Sequence, residues 1–318
     1  MTTIIRSKSG LKTKLKNLVL FPTGLAIADE LFVRQVSHLH AYWLSGPSTV
    51  GLIASQVAGV HWSYTAHSWD IFVEDNLIAA KTRSAAFGRV ISELGRQGIL
   101  RRSSGSEDRT LQVIHLGVHM PPRPAPTRAG PQIRLLCPAY LVAVKGHAYL
   151  LQALRFVVDA GIDCHCVFAG DGPLRASLFE QVRHLGLETV VSMPGMVRHE
   201  ELLQQLSYGK YDAVVLASVE LGNEFEGIPV SLIEAMAAGV PCIATRTGAI
   251  AELIDTTCGM LVNQRDPRAM SEAIIALAKD PAGREELGHR AMGRVAEQFN
   301  SAHSARRLLR LIEDAKVR

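Results

Sequence analysis

The fold is decided by the stretch Glu226-Gly227-Ile228-Pro229-Val230-Ser231-Leu232-Ile233-Glu234-Ala235-Met236-Ala237-Ala238-Gly239-Val240-Pro241. Pro229 has the fixed φ and the missing N–H that suit the first position of a helix, and Gly239 followed by Pro241 is typical of a helix end. Apolar residues between them recur at three- and four-residue spacing, which predicts a helix over 229–238 with one buried face. Glu226 then lies in the loop before the helix, and Glu234 lies about one turn inside it.

A helix start of this kind suits a phosphorylated sugar. The N–H groups of Gly227, Ile228 and Val230 can face a phosphate or sugar oxygen, and the helix dipole favours the negative charge. The carboxylates of Glu226 and Glu234 can accept hydrogen bonds from hydroxyls at the two ends of such a ligand. An isolated pair of glutamates at this spacing is more often structural, so the surrounding sequence has to decide between the two interpretations.

The stretch resembles the Glu-x7-Glu signature of retaining GT-B glycosyltransferases, in the large glycosyltransferase 4 family (group 1). The resemblance continues from Val240 to Leu253, which is similar to the family's strand, Gly-rich turn and helix start, with Gly248-Ala249 in place of the usual Gly-Gly. It implies an α/β protein with the GT-B fold, in which two Rossmann-like domains have parallel sheets. It also implies that Glu226 contacts the donor sugar and that Glu234 binds the ribose hydroxyls.

Two further segments resemble parts of the family's donor site. Pro194-Gly195-Met196-Val197 is similar to the turn that touches the nucleotide base, so Met196 and Val197 are expected to bind the donor. Leu136 to His147 resembles the stretch in which an arginine and a lysine clamp the diphosphate. The lysine is Lys145, but Tyr140 is at the arginine position. Because a phenol offers one neutral donor in place of a charged fork, we expect weaker donor binding unless another cation compensates.

One site is expected in the first half of the chain. Thr65 to Ile71 resembles the family's His-x-x-Asp turn, in which the histidine faces the cleft near the transferred sugar. His67 can donate to a sugar or phosphate oxygen, and Asp70 can fix its tautomer or the loop. A structural role is the default for any one of twelve histidines, but the position after a predicted strand favours function. The predicted catalytic residues are therefore Glu226, His67 and Lys145.

The order of patterns predicts two α/β domains. We expect a shortened acceptor-side domain over 1–118, a Pro-rich linker over 119–131, and a nucleotide-sugar domain over 132–300 whose parallel sheet binds ligand at the carboxyl ends of its strands. The helix at 301–318 is expected, by the resemblance, to pack back on the first domain. The family's first domain opens with a strand and a Gly-rich loop, and nothing in residues 1–20 resembles them, so the first domain is expected to be incomplete.

The periodic patterns also predict individual elements. Strands are predicted near 38–43, 62–67, 87–91, 111–118, 133–138, 164–169, 189–193, 211–217, 241–245 and 259–262. Helices are predicted near 23–36, 47–58, 75–86, 92–100, 147–160, 174–185, 199–207, 229–238 and 267–279.

Composition indicates an ordinary globular protein, with 318 residues of which 47% are hydrophobic and 20% charged. No apolar run reaches the ~18 residues that would span a bilayer, and no secretory signal is apparent, so we expect a cytoplasmic location. The first sixteen residues carry five basic groups and no acid. They are either a solvated arm or a segment attracted to an anionic membrane surface. No motif indicates binding to nucleic acid.

The five cysteines give no clear metal site. Cys164 and Cys166 would share one face of a strand and could bind zinc, but no other Cys or His group has suitable spacing, so reduced core thiols are the better interpretation. We expect no metal and no cofactor, with a nucleotide-diphosphate sugar as the donor substrate.

These features predict a metal-independent, retaining glycosyltransferase in cell-surface polysaccharide or glycolipid synthesis. It would move a sugar to a hydroxyl of a carbohydrate or lipid-linked acceptor, with Lys145 and the helix N-terminus assisting departure of the diphosphate. The alternative is a truncated, catalytically inert remnant or nucleotide-sugar-binding subunit, which Tyr140 and the short first half favour. A nicotinamide-dependent oxidoreductase fits less well, because Gly170-x-Gly172 lacks the third glycine of the dinucleotide fingerprint.

Overall fold

A computed structural model of the chain describes residues 11–72, 77–103, 110–121 and 130–316. It divides the chain into two compact units. The first combines the residues up to Leu116 with those from Ala302 onward, and the second is Gly117–Ser301. The C-terminal helix therefore belongs to the first unit. Most of the Pro-rich run and most of the basic arm, at 122–129 and 1–10, lie outside the described residues.

The first unit contains a four-stranded parallel sheet in the order β1-β2-β3-β4. Its core includes the buried side chains of Trp62, Tyr64 and Ile99. The C-terminal helix α14 is tied to this unit by Ser304, whose Oγ donates to the carbonyl of His115 at 3.0 Å. The elements are α1 (Leu11–Leu18), α2 (Phe21–Val33), β1 (His38–Ala41), α3 (Gly46–Ala58), β2 (His61–Ala66), α4 (Ser68–Phe72), α5 (Ile78–Ser84), β3 (Phe87–Val90), α6 (Glu93–Arg102), β4 (Leu111–Val113) and α14 (Ser301–Lys316).

The first helix, α1, is absent from the helices predicted from the sequence. Its apolar residues do not form one buried stripe, since Leu15 is 55% exposed and the following Val19 is 76% exposed. The helix is instead anchored by a polar contact, in which the Thr49 hydroxyl donates to the buried side-chain carbonyl of Asn17. A pattern search for apolar periodicity misses such a helix.

The second unit contains a six-stranded parallel sheet in the order β10-β9-β8-β5-β6-β7. All six strands predicted for it are present, with ends that shift by at most two residues. The α/β fold with parallel sheets is therefore confirmed. The elements are β5 (Ile133–Cys137), a 3₁₀ turn (Ala143–Lys145), α7 (His147–Asp159), β6 (Cys164–Ala169), α8 (Arg175–His184), β7 (Val191–Gly195), α9 (His199–Ser207), β8 (Ala213–Leu216), α10 (Val230–Ala237), β9 (Cys242–Thr245), α11 (Ile250–Leu253), β10 (Met260–Val262), α12 (Pro267–Lys279) and α13 (Pro281–Gln298).

The helix α13 was absent from the sequence-based expectations. Its buried face consists of Arg284, Leu287, Gly288, Ala291 and Val295, which have helical spacing but only two large apolar side chains. A Cβ at Gly288 would lie 2.1 Å from the carbonyl oxygen of Gly239, so this helix packs directly against a neighbouring backbone. Close packing of small residues leaves little hydrophobic signal in the sequence.

No helix in the described ranges combines the length and the apolar character needed to cross a membrane.

Candidate functional site

Glu226 and Lys145 form the centre of the candidate site in the second unit. The Glu226 residue is only 8% exposed, and its Oε1 accepts hydrogen bonds from Lys145 Nζ at 2.5 Å and from Ser218 Oγ at 2.8 Å. Within the described part of the chain, its Oε2 has no hydrogen-bond partner. Glu226 and Lys145, which were predicted separately and lie 81 positions apart, thus form an ion pair. One carboxylate oxygen of Glu226 remains for a ligand.

The backbone around Glu226 is held by the Gly248-Ala249 turn. The Ala249 N–H donates to the Glu226 carbonyl at 3.2 Å. Gly248 has a φ of +51°, and a Cβ there would lie 1.8 Å from the same carbonyl oxygen. Glycine is therefore needed at 248, both for its conformation and for the close approach. The alanine at 249, where the family resemblance suggested a second glycine, is compatible with the turn.

Lys145 is placed by the loop that follows β5. This loop ends in the 3₁₀ turn, and Gly146 after it has a φ of +64°, with no room for a Cβ beside the carbonyl of Ala217. The Val219 N–H donates to the Val144 carbonyl at 2.8 Å. The loops that follow β5 and β8 are thereby joined at the carboxyl ends of neighbouring strands, where α/β sheets bind ligands.

The helix α10, predicted over 229–238, spans Val230–Ala237 and starts beside this pair, with Pro229 at its N-cap instead of the first helical position. The N–H groups of Gly227, Ile228 and Val230 have no hydrogen-bond acceptor among the described residues. They are available to an anion at the positive end of the helix.

Glu234 lies in α10 and pairs with a residue that the sequence analysis did not single out. His199, at the start of α9, places its Nε2 2.6 Å from Glu234 Oε1. The glutamate side chain is 10% exposed and the histidine side chain 65%. The turn that carries the exposed Met196 and the half-buried Val197 leads directly into α9, so His199 joins the predicted base-contacting turn to the predicted ribose-binding carboxylate.

Tyr140 is 58% exposed in the loop after β5. A backbone hydrogen bond holds the same loop in place: the Leu141 N–H donates to the Asp171 carbonyl at 2.9 Å. The phenol therefore lies on a loop held by a backbone hydrogen bond, five residues before Lys145.

His147 is a buried titratable group next to the site. Only 2% of the residue is exposed, and neither ring nitrogen has a hydrogen-bond partner within the described residues. Burial lowers the pKa of His147 to about 4, and the positive charge of Lys145 acts in the same direction. The imidazole is therefore neutral near pH 7 and serves as packing against Phe168.

His67 belongs to the first unit. Its side chain is 12% exposed and stacks on Trp43, with ring centroids 4.3 Å apart. Its Nδ1 lies 3.5 Å from Asp70 Oδ2, too far for a well-formed hydrogen bond. Asp70 is fully buried and accepts backbone N–H groups from Leu44, Ser45 and His67. Of the two roles predicted for Asp70, the structure shows that of holding the loop.

Hydrogen bonding dominates the ionisation of Asp70. Burial raises the pKa of a carboxyl group, but the donors from His67, Ser45 and Leu44 outweigh it and lower the pKa of Asp70 below its ordinary value. The group is therefore a carboxylate, and its bonds to the backbone N–H groups of the loop stabilise that charge.

The five cysteines are buried thiols. All five are free and buried, and the described residues contain no group of three or more His, Cys, Asp or Glu side chains arranged to hold a metal. Burial, with the nearby Asp163, raises the pKa of the Cys164 thiol to about 11, which disfavours the thiolate that zinc binding needs.

Two contributors to the site were missed, and each had a weak signal in the sequence. Ser218 follows β8 by two residues, at the edge of the sheet where ligands bind, and His199 follows the base-contacting turn. Both could have been proposed from position alone, but serine and histidine are common there and only the side-chain contacts distinguish them.

Residues 132–280 match the family model described as Glycosyl transferases group 1. The second unit carries a group 1 glycosyl transferase domain. Over 209 residues the chain is 31% identical to the putative colanic acid biosynthesis glycosyltransferase WcaL of Escherichia coli K12, which covers 64% of this chain and 51% of that protein. It is 29% identical over 183 residues to the amylovoran biosynthesis glycosyltransferase AmsK of Erwinia amylovora, which covers 57% and 44%. The chain spans about half the length of the curated relatives it matches.

Solved structures show a similar fold. Anabaena HepE in complex with UDP has a TM-score of 0.76 at 17% identity, over 92% of this chain and 82% of that one. A glycosyltransferase from Rickettsia africae has the same TM-score at 18% identity, over 94% and 82%. The likeness establishes an α/β fold with parallel sheets that matches GT-B glycosyltransferases.

Proposed function

We propose that the protein is a retaining glycosyltransferase that moves a sugar from a nucleotide-diphosphate sugar to an acceptor hydroxyl. The observation that carries this proposal is the pairing of Glu226 with Lys145 and Ser218 beside the free N–H groups of α10. A group 1 domain and relatives named for colanic acid and amylovoran synthesis support it, and favour cell-surface polysaccharide or glycolipid as the product.

The chemistry follows from the charges. Departure of a nucleotide diphosphate develops negative charge, which a fixed ammonium group and oriented N–H groups stabilise without reorganising. Lys145 and the start of α10 would supply these groups. The unpaired Oε2 of Glu226 is an acceptor for a hydroxyl of the donor sugar, and Glu234 is an acceptor for the ribose hydroxyls once His199 gives way.

The position of Tyr140 favours a second candidate, a protein that binds nucleotide sugars weakly and transfers nothing. The exposed phenol offers no charge at the place where the family resemblance implies an arginine. Donor binding therefore has to be measured before transfer.

Thermal unfolding with UDP, GDP, ADP and their sugars makes this measurement. A ligand at a hundred times its dissociation constant stabilises the folded state by about 2.7 kcal/mol. We expect a shift with one nucleotide that is lost in Glu234→Ala and retained in Glu188→Ala, an exposed carboxylate in the same unit. If the protein unfolds cooperatively and no ligand raises its unfolding temperature, the donor site is rejected and the second candidate, a protein that transfers nothing, is retained.

We also propose a cytoplasmic protein that contacts the anionic inner membrane surface. The basic segment ahead of α2 includes the exposed Leu15 and Val19, a combination that binds membrane surfaces. Sedimentation with phosphatidylglycerol vesicles should fall when both are replaced by serine, and unchanged sedimentation would reject the contact.

A further inference from the structure

The carboxyl ends of β1 and β2 in the first unit carry a group of exposed aromatic rings. Tyr42 and Trp43 follow β1, and their exposed fractions are 48% and 44%. Both rings contact the imidazole of His67, which follows β2, with centroids 5.3 and 4.3 Å away. A further exposed ring, Trp69, follows His67 by two residues. We call Tyr42, Trp43 and His67 the aromatic platform.

The loop that carries the aromatic platform is held from below by buried charges. Lys81 is completely buried, and its Nζ donates to the carbonyls of Leu44 and Ser45 at 2.7 and 2.8 Å. Asp70 accepts the N–H groups of the same two residues at 3.2 and 3.1 Å. The carbonyl of Trp43 accepts a further bond from the Ser48 hydroxyl at 2.6 Å. The backbone that carries the exposed tryptophan is thus fixed before any ligand arrives, which lowers the entropy cost of binding.

The polar centre of the platform is suited to a hydroxyl group. Nδ1 of His67 is buried and lies 3.5 Å from Asp70 Oδ2, so Nε2 is the ring nitrogen available to a ligand. Among the described residues, Nε2 has no hydrogen-bond partner. The platform therefore combines exposed aromatic faces with one imidazole nitrogen that can hydrogen-bond a hydroxyl.

We propose that the aromatic platform binds a pyranose ring. One face of a pyranose is lined with C–H bonds that carry partial positive charge, and these suit the negative face of an aromatic ring, while its hydroxyls remain at the edge to reach an imidazole. Assigning that sugar as part of the acceptor rests on the proposed function, whereas the binding itself does not.

A membrane surface is the other class of partner that exposed Trp and Tyr side chains suit. The residues favour the sugar, because 42–45 and 66–72 contain no lysine or arginine for a lipid phosphate. Of the cations from other segments, Arg89 interacts with Tyr42 but is only 5% exposed, Lys81 is fully buried, and Arg102 donates to the Ile71 carbonyl. A membrane anchor also needs neither a fixed ring orientation nor a free imidazole nitrogen.

Binding of the whole protein to an array of immobilised gluco-, galacto- and mannopyranosides and their short oligomers tests the proposal. We expect retention on at least one sugar, an about tenfold loss for Trp43→Ala, and an intermediate loss for Trp43→Phe, which keeps an aromatic face. The matched control is Phe32→Ala, which removes a 79% exposed ring from α2 of the same unit and should bind like the wild type.

Three results would overturn it: no retention of the wild-type protein on any sugar, retention that Trp43→Ala leaves unchanged, or loss of binding to phosphatidylcholine vesicles in Trp43→Ala without loss of sugar binding. Unchanged urea unfolding of the variant excludes misfolding. If the protein is retained on a sugar but its unfolding temperature does not change with nucleotides, the proposed function is rejected and sugar binding by the aromatic platform still stands.

Discussion

The two units use buried charge in opposite ways. In the second unit, Lys145 and Glu226 face each other inside the candidate site, where a charged ligand would meet them. In the first unit, Lys81 and Asp70 are buried beneath a loop, and they hold backbone groups so that uncharged rings face outward. The difference is consistent with the two proposals, an anionic ligand for the second unit and a neutral one for the first. A lysine and a carboxylate form the proposed site in one unit and hold a loop in the other.

The strongest test of this comparison is Glu226→Gln. The substitution keeps the shape and the contact with Ser218 but removes the charge, so we expect kcat for sugar transfer to fall about 10²- to 10³-fold with little change in unfolding free energy. Steady-state kinetics and urea unfolding measure the two effects. A large loss of stability with unchanged kcat would make Glu226 structural.

The counterpart in the first unit is Lys81→Met. It leaves the carbonyls of Leu44 and Ser45 without their charged donor, and we expect a loss of about 2 to 4 kcal/mol in unfolding free energy. Thermal shifts with the nucleotide should be kept, because the donor site lies in the other unit. A loss below about 0.5 kcal/mol, as for an ordinary surface change, would contradict the role given to this lysine.

His147 shows that the second unit also has a purely structural titratable group. Its pKa is lowered from 6.5 to about 4 in the folded protein, so on acidification the unfolded chain takes up the proton first. Its contribution to stability is therefore complete above about pH 6.5 and is lost as the pH falls towards 4.

We expect His147→Leu to reduce the dependence of unfolding free energy on pH between 6.5 and 4, as followed by urea unfolding at several pH values. A residual slope should remain, because burial also lowers the pKa values of His38 and His40 to about 4. Identical slopes in variant and wild type would show that His147 is not neutral and buried in solution.

Tyr140→Arg tests whether the second unit binds an anionic ligand, because it adds a positive charge to the proposed donor site. A guanidinium group pairs with two phosphate oxygens, so we expect the dissociation constant of the nucleotide sugar to fall about tenfold. Tyr140→Phe is the control and should change it little. Calorimetric titration that finds no gain for the arginine variant would place residue 140 away from the diphosphate.

The smallest effect is expected for His199→Ala. Since His199 contacts Glu234 Oε1, removing it should tighten nucleotide binding by about two- to fivefold, the range for a pair in which one partner is exposed. Weaker binding in this variant would mean that His199 holds Glu234 in position instead of competing for it.

Sequence reasoning was most accurate where apolar periodicity and turn residues agree. The strands Ala213–Leu216 and Cys242–Thr245 are buried along their whole length, and Gly239 ends α10 with the expected left-handed conformation. It failed for α13, where Gly288 and Ala291 replace large apolar residues at the interface.

The candidate site was predictable only in part. Glu226, Glu234 and Lys145 were identified through a resemblance, but their pairing partners depend on side-chain positions that spacing does not encode. Glu226 pairs with a lysine 81 residues away, and Glu234 with a histidine 35 residues away. Asp70 was assigned beside His67, yet its loop-holding contacts reach Leu44 and Ser45, 26 and 25 residues earlier.

The composition of the first unit from two separate parts of the chain affects how the protein is made. The contact between Ser304 and His115 joins residues 189 positions apart. At translation rates of about 5 to 20 residues per second, His115 would wait about 10 to 40 s for its partner, whereas the second unit is complete before α14 is synthesised. On the ribosome, the unit that begins first would therefore be the last to finish folding, and its aromatic loops would be exposed to chaperones in the interval.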